Sequence, residues 1–305
     1  MLDGSDVVQM ILLSVLDLFS TVTNLFYIFI VLRKTPKTLF TYSLILLNIA
    51  FVDLIAALCS LMCLASLQNV SGRMVFSYLG PCTFLNARWC HLFFAIHANL
   101  DGHALLLLFT SFSYRLWVLK TDIEKQQRQR YIWILALCAI AFVIFINTVY
   151  SQSNTVTNDF RVGLYLSGTY PESSERMRSE LDLTGGFRTI NLLTRFSTFS
   201  LIFTYNFAFF VVFAVRGRLF AGIRSLSKSD RHNHQLIYRS LTDQILLPLI
   251  VACGSSLWFL DVLGVVHSRT LHQSIFILSS LFALASPLMN MYFIPPYRNG
   301  EASAK

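Results

Sequence analysis

The stretch CHLFFAIHANLDGHALLLLFTSFSYR, Cys90 to Arg115, sets ionisable side chains in an otherwise apolar run. At about 100° per residue, His97 lies five whole turns before Arg115, and Asp101 sits about 40° off the same line. His97 and Asp101 are also four apart, the separation at which helical side chains touch. A carboxylate beside an imidazole can hold a polar ligand, and an arginine at the far end of the same face can meet a partner. The plainer alternatives are a packed polar pair and an arginine that only marks where hydrocarbon ends. His91, His97 and His103 are each turned by about 240° from the one before, so they do not share a face. Metal ligands must converge on one point, so that helix alone makes no metal centre, and neither a cofactor nor catalysis is expected.

Such a helix needs an environment, and composition supplies it. Of 305 residues, 55% are hydrophobic and 13% charged, against about 25% charged in a soluble domain. The chain is therefore expected to live in a membrane. The net charge of +8 does not indicate nucleic acid, because the Lys and Arg sit in short segments between apolar runs, where they orient a membrane protein.

A spanning helix takes about 20 mostly apolar residues. Seven such stretches are expected, at 8–32, 39–67, 89–119, 131–150, 189–215, 241–266 and 271–294. The fold class is an all-α membrane protein, a seven-transmembrane helix bundle forming one domain over 1–298, followed by a short tail, 299–305. The first run has no basic region before it and is long enough to remain as a spanning helix rather than a cleaved signal. No internal repeat is visible, which argues against an inverted-repeat transporter. Fifteen Lys and Arg fall on one side of the spans and seven on the other. The richer side is expected to be cytoplasmic, which puts the N-terminus outside and the C-terminus inside. Asn69-Val70-Ser71 is then a glycosylation sequon on the outer side.

Ionisable and amide side chains within spans are costly and point to function. Asn24 in the first span and Asn48 and Asp53 in the second can form a hydrogen-bonded cluster at mid-depth. It is either helix glue or a conformational switch. Pro248 in the sixth span and Pro287 in the seventh each remove a helical hydrogen bond and kink the helix, and Asn290 follows Pro287 closely. Arg195, Trp258 and Asp261 lie toward the outer mouth. Arg195 pairs with an acid or reaches to the interface, and Trp258 packs or contacts ligand. Of the six cysteines, Cys59 and Cys63 read as small buried residues. Only Cys82 and Cys90 lie where an oxidising compartment reaches, and spacing alone does not decide whether they pair.

Seven spans, an arginine closing the third and prolines in the sixth and seventh resemble a G-protein-coupled receptor. Asn24, the Asn48–Asp53 spacing and the 25 residues from Cys90 to Arg115 are similar to the rhodopsin-like group. More closely, TPK at 35–37, GPC at 80–82, SFSYR at 111–115, LTDQILLP at 241–248 and PPYR at 295–298 resemble the nematode serpentine chemoreceptors of the Srd class. The chain departs from the rhodopsin-like pattern in four places. No acid precedes Arg115, helix six has no Trp-x-Pro, 151–188 holds no cysteine, and helix seven has no Asn-Pro-x-x-Tyr.

The resemblance implies a chemosensory receptor in the plasma membrane, at a sensory-neuron cilium, with a small-molecule ligand, a heterotrimeric G protein and membrane lipid as partners. Expected ligand contacts are His97, Asp101, Arg195, Trp258 and Asp261. Expected switch and coupling residues are Asn24, Asn48, Asp53, Tyr114, Arg115, Pro248, Pro287 and Asn290. The alternative is a seven-helix ligand-gated channel or transporter. An opsin is excluded, since no lysine stands in the core of the seventh span.

Overall fold

The computed structural model describes residues 4–35, 40–70, 73–85, 87–120, 184–187 and 269–293, together with isolated helical positions between 203 and 221 and between 249 and 260. The described residues form four long helices: α1 (Gly4–Lys34), α2 (Phe40–Cys63), α3 (Ala87–Lys120) and α4 (Arg269–Phe293). They match the first, second, third and seventh expected spans, and each is long and apolar enough to cross a membrane. The spans expected at 131–150, 189–215 and 241–266 lie outside the described residues, wholly or in large part.

Each helix shows why it forms and stops. On α1 the buried positions Gln9, Leu13, Asp17, Ser20, Asn24, Tyr27 and Val31 recur every three or four residues, one stripe of a helix. The opposite side exposes Ile11, Leu18, Phe19, Val22, Phe26 and Phe29, an apolar face that suits hydrocarbon. The helix stops in Arg33-Lys34. The Arg33 guanidinium lies 4.6 Å from the centre of the Phe29 ring, and Thr35 Oγ1 donates to the Val31 carbonyl. Pro36 comes next and has no N–H with which to continue the ladder.

The second helix ends earlier than its apolar run. Leu64 takes φ 37°, a left-handed position that closes helices. Its N–H still reaches the Ser60 carbonyl at 2.8 Å. From Ala65 the chain is a strand. This corrects the expected span 39–67: Leu64 and Ala65 are buried past the end of the helix, Ala65 in a strand. Strands β1 (Ala65–Val70) and β2 (Arg73–Tyr78) pair antiparallel from Ala65↔Tyr78 to Val70↔Arg73. Strand β3 (Thr184–Phe187) adds to β2, with Met74 opposite Phe187.

This sheet caps one end of the bundle, hereafter the sheet end. Strand β1 packs on α4. A 3-10 turn at Pro81–Phe84 leads into α3, and Cys82 is disulfide-bonded to Cys90, Cα–Cα 5.1 Å. Both cysteines are buried with Cys63, Ala65 and Tyr78. Tyr78 meets Phe94, which meets Phe276 edge-on at 6.1 Å, so the cap is fastened to α3 and α4. Gly80 is required here, because a Cβ would stand 2.2 Å from the Met62 carbonyl oxygen.

Below the cap, α1 packs on α2 and α4, and α2 packs on α3. One cluster joins Tyr27 and Val31 of α1 to Tyr42, Leu46 and Ala50 of α2. Another joins Ile45 and Ile49 of α2 to Leu105 and Leu107 of α3 and Phe282 of α4. Helix α3 buries residues on nearly all sides, as a helix at the centre of a bundle does. Lipid is as apolar as these side chains, so close packing and hydrogen bonds, rather than the hydrophobic effect, hold the helices together.

Candidate functional site

Polar side chains fill the interior in two levels. The level nearer the sheet collects Asp17 of α1, Ser60 of α2, His97 and Asp101 of α3 and Ser279 and Ser280 of α4. His97 Nε2 lies 3.7 Å from Asp101 Oδ2, so the pair expected from the i,i+4 spacing forms. The Ser279 hydroxyl donates to the same carboxylate oxygen. Asp101 is thereby tied to two helices, its own and α4. Asp17 is 1% exposed, with Ser60 and Ser280 beside its carboxylate and His97 and Asp101 as ionisable neighbours.

The second level lies toward the opposite end. Asn24 Nδ2 donates to the main-chain carbonyl of Ala283 on α4 at 3.1 Å and to the Ser20 carbonyl at 3.0 Å. The Ala283 carbonyl would normally take the N–H of residue 287, which is proline and has none. Asp53 is buried, with Ser286 of α4 beside its carboxyl. Asn290 is 3% exposed. A small cavity runs between Ser111 of α3 and Ser286 and Asn290 of α4, walled by Ile49, Leu108 and Phe282.

Asn24 thus turns to the main chain of α4 rather than to a side chain on α2. The cluster expected between Asn24, Asn48 and Asp53 is replaced by two separate ties to α4, one from α1 and one from α2. Asn48 is only partly buried.

At the end of α3, the Tyr114 ring stacks on Tyr42 of α2, with centroids 6.1 Å apart and planes 11° apart. Tyr114 also contacts Trp117 and the Thr41 hydroxyl. Arg115 follows in the same helix. Pro287 stands inside α4 and is bridged there as described. Asn69 is in β1, opposite Met74 and one residue from the strand end. Arg195, Pro248, Trp258 and Asp261 lie outside the described residues.

Sequence reasoning missed Asp17, Ser279, Ser280 and Ser286. Asp17 was legible by the rule that singled out Asp53, a lone carboxylate in an apolar span. It also stands seven residues before Asn24, on the same helical face. The serines gave no signal, because serine is common in membrane helices and only the neighbour across the interface makes it matter.

Among the described residues, no three His, Cys, Asp or Glu side chains converge as a metal site. The arrangement offers two charged or polar grips on α4, one above the other, and an aromatic joint beside Arg115.

The family profile described as "Serpentine type 7TM GPCR chemoreceptor Srd" matches residues 9–301. The chain is 24% identical over 289 residues to serpentine receptor class delta-1 of Caenorhabditis elegans, covering 92% of this chain and 76% of that one. It is 22% identical over 293 residues to serpentine receptor class delta-3 of the same organism, covering 90% and 81%. Among solved structures, the crystal structure of squid rhodopsin superposes with TM-score 0.54 at 13% identity, covering 98% of this chain and 84% of that one. That likeness is one of fold, a seven-helix receptor bundle.

Proposed function

The chain belongs to the Srd family of serpentine seven-transmembrane chemoreceptors, and from that premise we propose that it binds an external small molecule in the sheet-end half of the bundle and activates a heterotrimeric G protein at the other end. It is a multi-pass membrane protein and a receptor rather than an enzyme. In this reading the sheet end faces outward, the N-terminus is external and the C-terminus cytoplasmic. Two independent features support that orientation. By sequence, fifteen Lys and Arg fall in the segments on the other side of the spans against seven on this one, and the Cys82–Cys90 disulfide at the sheet end suits an oxidising exterior. Asn69 in the hairpin is then a glycosylation site.

The observation that carries the reading is the pair of ties to α4, Ser279 on Asp101 and Asn24 on the Ala283 carbonyl. A ligand that contacts His97 or Asp101 competes for Ser279 and so acts on α4. The Asn24 tie sits at the Pro287 kink, where a few residues can absorb a hinge movement. Asp53, Asn48 and Asn290 lie on the way to Tyr114 and Arg115, which meet the G protein. Arg195, Trp258 and Asp261 complete the ligand contacts, and Pro248 supplies a second hinge. The plasma membrane of a sensory cilium is the setting that the family suggests.

The test is resonance energy transfer between the tail-tagged chain and a panel of labelled heterotrimers, wild type beside Arg115→Ala, with surface display measured in parallel. Coupling that disappears with Arg115→Ala at unchanged display is the expected result. A chain confirmed at the surface that couples to no heterotrimer would move the reading to an ion channel and to electrical recording.

A further inference from the structure

The Asp17 carboxylate has no hydrogen-bond partner among the described residues, although both of its oxygens are shut away from the surface. Ser60 and Ser280 face it without closing a hydrogen bond, and the Ser280 hydroxyl likewise lacks a partner. His97 Nδ1 is unpartnered as well. His97 can supply at most one positive charge, and it sits against Asp101, whose Oδ2 already receives Ser279. Two carboxylates therefore share one imidazole, and Asp17 is the one left over.

A buried carboxylate without partners is too costly to persist as such, so something neutral or positive must meet it. A proton alone leaves a hydroxyl that still needs an acceptor, and neither serine is bonded to the carboxyl as the side chains stand. The oxygens turned toward one another are a carboxylate and two hydroxyls, a hard, oxygen-only set that suits an alkali ion or the three N–H donors of an ammonium group. Among the described residues no three His, Cys, Asp or Glu converge there, so these residues do not offer the ligands for a transition metal. One uncompensated negative charge calls for one positive charge.

We propose that Asp17, with Ser60 and Ser280, anchors a binding site for a single monovalent cation, either an alkali ion or the ammonium end of a small organic molecule. The site lies within electrostatic reach of the His97–Asp101 pair. An occupant of it would bear on Ser280 of α4 beside the Ser279 tie. In its organic form the inference rests on the reading of the sheet-end half as the ligand site. In its ionic form it stands alone.

The experiment is thermal unfolding of the full-length chain in nanodiscs of uncharged lipid, at constant ionic strength set by choline chloride. One arm replaces choline by sodium and the other by n-propylammonium, each for wild type, Asp17→Asn and Ser280→Ala. The wild type is expected to gain about 5 °C in Tm, saturably, with at least one of the two cations. Sodium alone identifies an ion site, and propylammonium alone identifies an amine site. Asp17→Asn should lose the gain while unfolding in choline at least as high as wild type, since its uncompensated charge is gone. Ser280→Ala should need about threefold more cation or beyond to reach its midpoint, which serves as the test if Asp17→Asn does not fold. A wild-type Tm indifferent to both cations would overturn the proposal and leave a protonated Asp17 or a buried water. An unchanged response in the Asp17→Asn and Ser280→Ala variants would overturn it too. No signalling step enters this assay, so its failure and a failure to couple to G protein are separate results.

Discussion

Asn24 of α1 donates to the main-chain carbonyl of Ala283 of α4, 259 residues further along the chain, and that carbonyl is free because Pro287 stands four residues later. The proline removes one helical hydrogen bond, and the asparagine of a neighbouring helix takes up the freed acceptor. The gap that Pro287 leaves in the α4 ladder is therefore filled from α1.

This pairing makes a coupled prediction. Asn24→Ala should lower stability in nanodiscs by about 1 kcal/mol, within the range for hydrogen bonds between membrane helices. In a Pro287→Ala background residue 287 regains an N–H, the Ala283 carbonyl regains its helical partner, and Asn24→Ala should cost clearly less. A double-mutant cycle measures the difference. Equal costs in both backgrounds would mean that the Asn24–Ala283 bond does not compensate for the proline.

Gly80 carries the second prediction. It is buried against the last turn of α2, where any Cβ would run into the Met62 and Cys63 main chain. Main chain cannot swing aside as a side chain does. Gly80→Ala should cost about 2 kcal/mol or more and show as a lower Tm and reduced surface display. A variant that unfolds and displays like wild type would show that the cap shifts freely on the bundle.

The Cys82–Cys90 bridge closes a loop of eight residues in sequence. Chain entropy alone assigns such a loop about 2–3 kcal/mol. Replacing both cysteines by serine should lower Tm accordingly, and in the unfolded but unreduced wild type both residues should resist alkylation. Alkylation of either one before reduction would rule out the bridge in the isolated protein.

A fourth prediction concerns Asp101. Asp101→Asn keeps an acceptor for the Ser279 hydroxyl and removes the charge that faces His97. Fold and display should survive, while the ligand concentration for half-maximal signalling should rise at least about tenfold, the equivalent of about 1.4 kcal/mol. Ser279→Ala, which keeps the charge and cuts the tie to α4, should instead reduce the maximal response. If the two variants behave alike, the ligand contact and the tie to α4 cannot be told apart as proposed.

The membrane setting, the helix count and the His97–Asp101 contact follow from sequence, because they depend only on local quantities. Apolar length fixes a span, and helical pitch fixes which residues share a face. The same local logic gave the ends of α1 and α3 to within a few residues. It overran α2, since Leu64-Ala65 is as apolar in a buried sheet as in a helix and only the left-handed turn at Leu64 separates the two. The partners across helices were not legible. Asn24 looked ready to meet Asn48 or Asp53, and the bond fell instead to α4 because packing sets α1 beside the one carbonyl that Pro287 leaves unbonded. Asp17 and the serines around it tell the same story. A lone carboxylate in an apolar run says that something must neutralise it, but only the approach of α2, α3 and α4 decides that its neighbours are two hydroxyls and a charge already shared with His97. Sequence determines what each helix can offer, since that is written in one side chain at a time. Tertiary structure decides what it meets, since a contact belongs to two helices at once.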